Sequence, residues 1–274
     1  MAPQFLGPLE YGRRPPRGQQ DKLSKLRRTR SARFGFAVQL PLPPRAGLRI
    51  KEETSRFQQY PREGGSWKKI HEERSLASSS KDLQQRMADH FERSAALKRQ
   101  LTEACGESIL EAAEAISSSF RQGGKLLLCG NGGSAADCQH MAAELTSRLD
   151  ATCERPGLPA LALTTDSSFL TAYANDYGYN GIFARQVQAL GKPEDILFAI
   201  STSGNSKNVV LAIEEAQKIG MLSIGLMGEG GQMLELCKPA IAVPHRSTQH
   251  IQECHLAIEH LICELVEVHL FDRP

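Results

Sequence analysis

Residues Lys125–Ser134 read KLLLCGNGGS, and this stretch decides the fold. Its short, mostly apolar run, Lys125–Cys129, follows a glycine pair and precedes three glycines in four positions. A short apolar run between such glycine signals is typical of a strand that is buried on both faces. The glycines allow a tight turn, and Ser134 is a residue type that often begins a helix. The stretch therefore predicts the first strand-to-helix unit of a parallel sheet.

The chain after residue 84 repeats this pattern. Four further apolar runs predict strands at Ala160–Thr164, Ile196–Ile200, Leu222–Leu226 and Ala240–Val243. Apolar residues at helical spacing predict helices over Ser134–Leu149, Asn205–Ile219 and Thr248–Phe271. Helical spacing also recurs in two segments of residues 84–122, which predicts two more helices there. The whole pattern predicts an α/β fold, with a five-stranded parallel sheet covered by helices on both faces.

Charge divides the sequence into two unlike parts. The 274 residues include 33 Lys+Arg and 31 Asp+Glu, but residues 1–80 carry a net +10 and residues 81–274 a net −8. The first part also holds eight of the 14 prolines and shows no helix or strand periodicity. Such a segment buries too little apolar surface to offset the entropy of ordering it. We predict that residues 1–80 are a disordered extension and that residues 81–274 form one domain.

Three interpretations of the basic extension stay open. A basic arm could bind nucleic acid or an anionic surface. Residues 1–50 hold 11 Lys+Arg and 2 Asp+Glu, which suits an organelle-targeting segment. The natural start of translation could also be Met87, which would make the extension a gene-calling artefact. Aromatic residues do not interleave with the basic ones as a stacking platform requires, so we do not expect a nucleic-acid partner.

Composition excludes several classes of protein. Apolar residues make up 41% and charged residues 23% of the chain, which is ordinary for a globular protein. No run approaches the ~18 apolar residues that a membrane-spanning helix needs, so we expect no membrane partner. The seven cysteines are an odd number without a C-x-x-C pair. We therefore expect neither a disulfide framework nor a thiolate zinc site. We expect a reducing, cytoplasmic location.

Two loops that follow predicted strands carry the chemistry of phosphate binding. Residues Gly130–Ser134 and Ser201–Ser206 each lead into a helix, whose free backbone N–H groups attract anions. The second loop offers four hydroxyls in six residues. Ligands bind beyond the carboxyl ends of the strands in such sheets, so the two loops together predict a cradle for a phosphate monoester. Neither loop matches the phosphate loop of nucleotide triphosphatases, which excludes that class.

Histidines and carboxylates on two predicted helices could bind a metal ion. His140 and Glu144 are four residues apart, so they share one helix face and could reach the same ion or substrate. Gln252 and His260 lie on the last helix, eight residues apart, which separates their Cα atoms by about 12 Å. Both could reach one ion only at full stretch. One of the two could instead serve the site of a neighbouring subunit.

From about Leu83 to Phe271 the sequence resembles the sugar-isomerase (SIS) domain proteins, and among them the bacterial phosphoheptose isomerases. The resemblance rests on five segments: CGNGGSAADCQ (129–139), HMAAELTSR (140–148), NDYG (175–178), AISTSGNS (199–206) and IQECHLAIEH (251–260). It implies a three-layer SIS fold with a long C-terminal helix, and an assembly of four identical subunits with active sites at their interfaces. It covers none of residues 1–80, and members of the family normally lack such an extension.

The resemblance also implies roles for individual residues. Substrate contacts are implied for Asn131, Gly132, Gly133, Asn175 and Asp176, and phosphate contacts for Ser134, Ser201, Thr202, Ser203 and Ser206. A zinc ion in each subunit is implied on His140, Glu144, Gln252 and His260, with Glu144 and Gln252 also touching the substrate. Glu144 and His260 are the implied acid/base pair.

The implied reaction is the conversion of sedoheptulose 7-phosphate into D-glycero-D-manno-heptose 7-phosphate through an enediol, a step in making heptose precursors. Such an isomerisation needs a base at carbon, an acid/base at the two oxygens and stabilisation of the oxyanion. A rival interpretation is a non-catalytic SIS protein that binds phosphosugars or a replication initiator. As a class, such binding proteins are not expected to keep the full His, Glu, Gln and His set that stands here, which favours the enzyme.

Overall fold

Five parallel strands form one sheet in the computed structural model, which describes residues 80–152 and 154–271. The strands are β1 (Leu126–Gly130), β2 (Ala160–Ala162), β3 (Ile196–Ser201), β4 (Leu222–Gly228) and β5 (Ala240–Val243). Their order across the sheet is β2-β1-β3-β4-β5. All five predicted strands are therefore confirmed, with ends that differ by one or two residues.

Seven α-helices surround this sheet within the described residues. They are α1 (Ser80–Arg121), α2 (Gly133–Thr146), α3 (Ser167–Tyr177), α4 (Ile182–Leu190), α5 (Lys207–Lys218), α6 (Met233–Leu236) and α7 (Thr248–Leu270). A short 3₁₀ helix, Tyr179–Gly181, connects α3 to α4. The predicted helices after the first strand, after the third strand and at the C-terminal end are confirmed as α2, α5 and α7.

The prediction of two helices over residues 84–122 is wrong, because α1 is one helix of 42 residues. Gly106 lies in its interior, where glycine costs about 1 kcal/mol relative to alanine. The buried stripe of α1 continues in phase across that glycine, from Leu101 and Cys105 to Ile109. Packing of this stripe on the rest of the core outweighs the local cost, so the helix does not break.

Alternate residues of each strand face opposite sides of the sheet, which makes three layers. Leu126 and Leu128 of β1 belong to one buried cluster, together with the apolar faces of α1, α2 and α7. Leu127 and Cys129 belong to the other, together with residues of α4 and α5. Because both faces are covered, the strands read as continuous apolar runs in the sequence. The predicted three-layer architecture is confirmed.

The strand order fixes where the two candidate loops meet. From β1 the chain passes outward to β2, then returns to β3 on the other side of β1 and continues to β5. Gly130 at the end of β1 is in register with Ile200 near the end of β3. The order thus reverses between these two strands, and such a reversal leaves a crevice beyond their carboxyl ends.

The predicted disordered extension, residues 1–80, lies outside the described residues except for Ser80, the first residue of α1. Among the described helices, none has the length and apolar character needed to cross a membrane. The described cysteines are unpaired and buried: Cys105, Cys129, Cys138, Cys237, Cys254 and Cys263. Burial raises the pKa of the Cys105 thiol to about 11, so this thiol is not a reactive one.

Candidate active site

The glycine loop after β1 brings the start of α2 against α7. Gly132 has φ 58°, a left-handed conformation that favours glycine, and its carbonyl accepts the N–H of Ala135. A Cβ on Gly133 would overlap the side-chain amide of Gln252. Gln252 therefore packs directly on this loop, and both glycines are required by the local geometry rather than by flexibility.

The serine loop after β3 gathers its hydroxyls. Ser201 Oγ lies 2.9 Å from Ser206 Oγ and 3.4 Å from Ser203 Oγ, and Ser203 Oγ also accepts the N–H of Asn205 (3.2 Å). Ser206 occupies the N-cap position of α5 but its side chain makes no capping hydrogen bond. These hydroxyls are free to turn toward an anion at the helix N-terminus. Thr202, in the same loop, is partly buried.

A pair of asparagines joins the two loops. Asn131 and the buried Asn208 exchange two hydrogen bonds of 2.8 Å, each amide N–H₂ donating to the other's carbonyl oxygen. The hydroxyl of Tyr179 donates to the same Asn131 oxygen (3.1 Å). Asn208 and Tyr179 were not predicted as site residues. Asn208 stands two residues after Ser206, and its place next to the serine loop could have marked it as a site residue. The contact of Tyr179 with Asn131 has no pattern in the sequence that could have predicted it.

Asn175 and Asp176 are exposed near the end of α3. Asn175 Nδ2 donates to Asp176 Oδ1 (2.9 Å). This is the hydrogen bond that the two side chains make within the described residues, and it does not connect them to either loop. Ser134, by contrast, is buried in the first turn of α2.

Three of the four predicted metal ligands converge where α2 meets α7. The Nε2 atoms of His140 and His260 are 2.7 Å apart, and His140 Nε2 is 3.7 Å from Glu144 Oε1. Ligand atoms of all three residues lie within 4.8 Å of one another. All three side chains are partly exposed, so a ligand can reach them. Gln252 lies two helical turns before His260, against Gly133.

The donor set fits a divalent metal ion. Two imidazole nitrogens face each other, and a carboxylate oxygen completes the group. Two histidines with a carboxylate are a donor set that borderline ions such as zinc prefer. The ion would be held by His140, Glu144 and His260. The fit is supported by the position of these side chains, whose ligand atoms meet between two packed helices.

Two further carboxyl groups, Glu259 and the partly buried Asp137, lie near the metal-ligand group. Glu259 is fully buried, and burial followed by the charge of Asp137 raises its pKa to about 9. Burial also raises the pKa of Asp137, while His140 and a hydrogen bond with Gln252 act in the opposite direction. Glu259 is therefore a neutral acid at pH 7. The sequence interpretation did not assign a role to Asp137 or Glu259, because burial of a carboxyl leaves no sequence signal.

Arg155 holds the end of α2 that carries Glu144. Its guanidinium donates to the backbone oxygens of Glu144 (2.8 Å) and Leu145 (2.9 Å), and through Nε to Glu267 Oε1 of α7 (2.8 Å). Both charged side chains are almost fully buried, at 1% and 0% exposure. The carbonyls that the end of a helix leaves unpaired are thereby satisfied. The ion pair fixes α2 relative to α7, and so Glu144 relative to His260.

His255 lies on α7 between Gln252 and His260. It is fully buried, and burial lowers its pKa to about 4, with the backbone of Met227 acting in the opposite direction. The neutral imidazole is thus a core residue of α7 and is not part of the metal-ligand group.

Comparisons with known proteins show which proteins the chain resembles. The SIS domain family profile matches residues 89–228. The phosphoheptose isomerase of Solidesulfovibrio magneticus is 49% identical over 186 residues, which are 68% of this chain and 90% of that protein. The phosphoheptose isomerase of Roseiflexus sp. is 48% identical over 199 residues, 72% of this chain and 100% of that protein. A solved phosphoheptose isomerase from Neisseria gonorrhoeae superposes with a TM-score of 0.63 at 43% identity, covering 68% of this chain and 99% of that one.

The parallel sheet, the two loops at the carboxyl ends of β1 and β3 and these matches define the class: the chain belongs to the SIS domain family. Within that family it belongs to the phosphoheptose isomerases, since it spans nine-tenths or more of relatives that are almost half identical to it. The predicted resemblance is confirmed.

Proposed function

We propose that this chain isomerises sedoheptulose 7-phosphate to D-glycero-D-manno-heptose 7-phosphate. The observation that carries the proposal is the convergence of Glu144, His140 and His260 on one face, within a chain that matches phosphoheptose isomerases along most of their length. A base and a proton shuttle side by side are what a ketose–aldose isomerisation requires.

The phosphate end of the substrate binds between the two loops in this proposal. Ser201, Thr202, Ser203 and Ser206 supply hydroxyls, and Ser134 joins them from the start of α2. Support comes from the serine hydroxyls that cluster at the N-terminus of α5, where the side chain of Ser206 makes no capping hydrogen bond. Neutral donors and helix termini can hold a phosphate monoester without a lysine or arginine. Asn131, Gly132, Gly133, Asn175, Asp176 and Gln252 are proposed to contact the sugar.

Glu144 removes a proton from C1 of the ketose. The electron pair of that C–H bond forms the C1=C2 double bond, the π pair of the C2=O bond moves to O2, and O2 takes up a proton, which gives the cis-enediol. O1 then loses a proton and C2 gains one, which gives the aldose. His260 moves the protons between the two oxygens, and its position beside Glu144 in the same group of side chains supports this role.

A zinc ion is the proposed cofactor, held by His140, Glu144 and His260 with Gln252 as a fourth ligand. When bound, it supplies polarisation of the substrate oxygens, the chemistry of a Lewis acid. The donor set supports the choice of a borderline divalent ion. Loss of turnover on chelation, with recovery on addition of zinc, is the expected result.

A homotetramer is the proposed assembly, with active sites at subunit interfaces. The first turns of α1 expose Leu83, Met87 and Phe91 by 58%, 57% and 65%, and their spacing puts them on one helix face. A contiguous apolar stripe of this kind suits burial against another subunit. Light scattering of the full chain at micromolar concentration should give four subunits, whereas a fully active monomer would contradict the assembly. A cytoplasmic location is proposed too, supported by the unpaired buried cysteines.

Incubation of the purified chain with sedoheptulose 7-phosphate tests the function. NMR spectra should show the signals of the aldose product growing until the two sugars reach equilibrium. Binding of the substrate without any aldose would instead indicate a phosphosugar-binding protein, and neither binding nor turnover would overturn both interpretations.

A further inference from the structure

A second group of metal-ligand side chains joins α1 to the start of α7, on residues distinct from those proposed for catalysis. Ligand atoms of His90, His250 and Glu253 lie within 4.8 Å of one another. His90 Nε2 is 2.9 Å from Glu253 Oε1, and His250 Nδ1 is 3.6 Å from Glu253 Oε2. The two imidazole rings lie 4.8 Å apart, centroid to centroid, and are tilted by 35°.

His250 has a ring nitrogen that its surroundings do not satisfy. The side chain is only 4% exposed, and its Nδ1 has no hydrogen-bond partner in the part of the chain that the structure describes. A buried polar atom without a partner costs about 1–3 kcal/mol. The atom lies 3.6 Å from Glu253 Oε2, on a ring beside the His90 imidazole, and a cation bound there would satisfy it.

The carboxylate of this group is held in a fixed orientation. Ser94 Oγ donates to Glu253 Oε2 (2.5 Å) and accepts from Lys98 Nζ (3.2 Å), so its proton is directed at the carboxylate. The ring of His245 packs edge-on against His250, with centroids 5.4 Å apart. Hydrogen bonds and packing that orient ligand residues are a regular part of protein metal sites.

From this cluster we infer a second divalent-metal site on His90, His250 and Glu253, which links α1 to α7. Two imidazoles and one carboxylate select a borderline ion such as Zn²⁺ or Co²⁺ over Mg²⁺ or Ca²⁺. Ions of that kind are commonly bound by three protein ligands with one position open to water. A metal ion at this site would link the two helices. We expect it to stabilise the folded chain and to take no part in turnover.

Zinc stoichiometry of the full-length chain tests the site. The protein is stripped with a chelator, reloaded with ZnCl₂, desalted and analysed for metal per subunit. The parent chain should retain two equivalents, His90→Ala one and His140→Ala one, and the double variant none. His269→Ala is the matched control, because His269 on the same helix faces one carboxylate, Glu114 (3.2 Å), without a second histidine. It should leave the stoichiometry unchanged.

Thermal unfolding gives an independent readout. In the His140→Ala background, ZnCl₂ should raise the melting temperature, and adding His90→Ala should abolish that rise. Isomerase turnover of His90→Ala alone should stay within about twofold of the parent. The inference is overturned if His90→Ala retains as much zinc as the parent and keeps the zinc-dependent rise. A chain without isomerase activity would refute the proposed function but leave this result unaffected.

Discussion

The Nε2 atoms of His140 and His260 face each other at 2.7 Å between α2 and α7. The two residues are 120 positions apart in the chain, and the parallel packing of the two helices brings them together. Glu144, one turn after His140, completes the group. The groups proposed for catalysis and metal binding thus stand on two packed helices, while the groups proposed to hold the phosphate stand on the loops at the ends of β1 and β3.

Loss of a loop hydroxyl should weaken substrate binding more than turnover. We expect Ser203→Ala or Ser206→Ala to raise KM about 10-fold while kcat changes by less than about threefold, because a phosphate contact binds substrate and transition state alike. Initial rates over a range of sedoheptulose 7-phosphate concentrations measure both constants. A drop in kcat at unchanged KM would contradict the assignment of these serines to the phosphate site.

A methyl group on Gly133 should displace Gln252. We expect Gly133→Ala to lower kcat/KM by about 10–100-fold, as loss of a group near a metal typically does. In a Gln252→Ala background the same change should have little further effect, because its target is gone. Gly106→Ala is the matched control: a Cβ there meets no atom within 4 Å, so the melting temperature should rise and kcat/KM should not change. Equal effects of Gly133→Ala in both backgrounds would contradict the contact.

The contribution of Glu259 to the stability of the metal-free protein should fall as the pH rises from about 5 to 9. Glu259 has a folded-state pKa of about 9 against an ordinary 4.5, so the native state holds a proton that the unfolded state releases. Its contribution is complete below pH 4.5 and is lost as the pH rises through 9. Glu259→Gln should therefore gain in melting temperature over the parent as the pH rises. A difference that stays constant with pH would show that Glu259 is ionised in the native state.

The acid side has its own titrating group. The pKa of His255 is about 4 when folded against an ordinary 6.5, so its contribution to stability is complete above pH 6.5 and is lost as the pH falls through 4. His255→Gln should flatten the decline below pH 6.5 without changing the decline above pH 7. Melting curves of both variants across one pH series separate the two groups.

A chain that begins at Met87 should fold and react like the full chain. It lacks the residues before the main packed part of α1, and the described residues that it loses, 80–86, are exposed or nearly so. We expect the same kcat/KM and a melting temperature within about two degrees, because the shorter chain loses Leu83 from the exposed stripe of α1 but keeps Met87 and Phe91. Reduced activity, or a smaller assembly in light scattering, would give the extension a role in the site or the interface.

Local patterns predicted the parts of this fold that depend on near neighbours. Glycine and serine signals mark the ends of β1 and β3, and the four-residue spacing of His140 and Glu144 places them on one face. The continuity of α1 through Gly106 was missed, because it depends on packing against the core rather than on propensity. Contacts such as His90 with Glu253, 163 residues apart, have no local pattern at all. The same holds for the burial of Glu259.

Aldose formation by Glu144→Gln, compared with the parent chain, tests most directly whether Glu144 is the base of the proposed isomerisation. The parent should convert sedoheptulose 7-phosphate into the aldose, and Glu144→Gln should fold with the same circular dichroism spectrum but turn over at least ~100-fold more slowly, the usual worth of a general base. His260→Asn should behave alike. Near-normal turnover by Glu144→Gln would contradict the proposed role of Glu144 as the base.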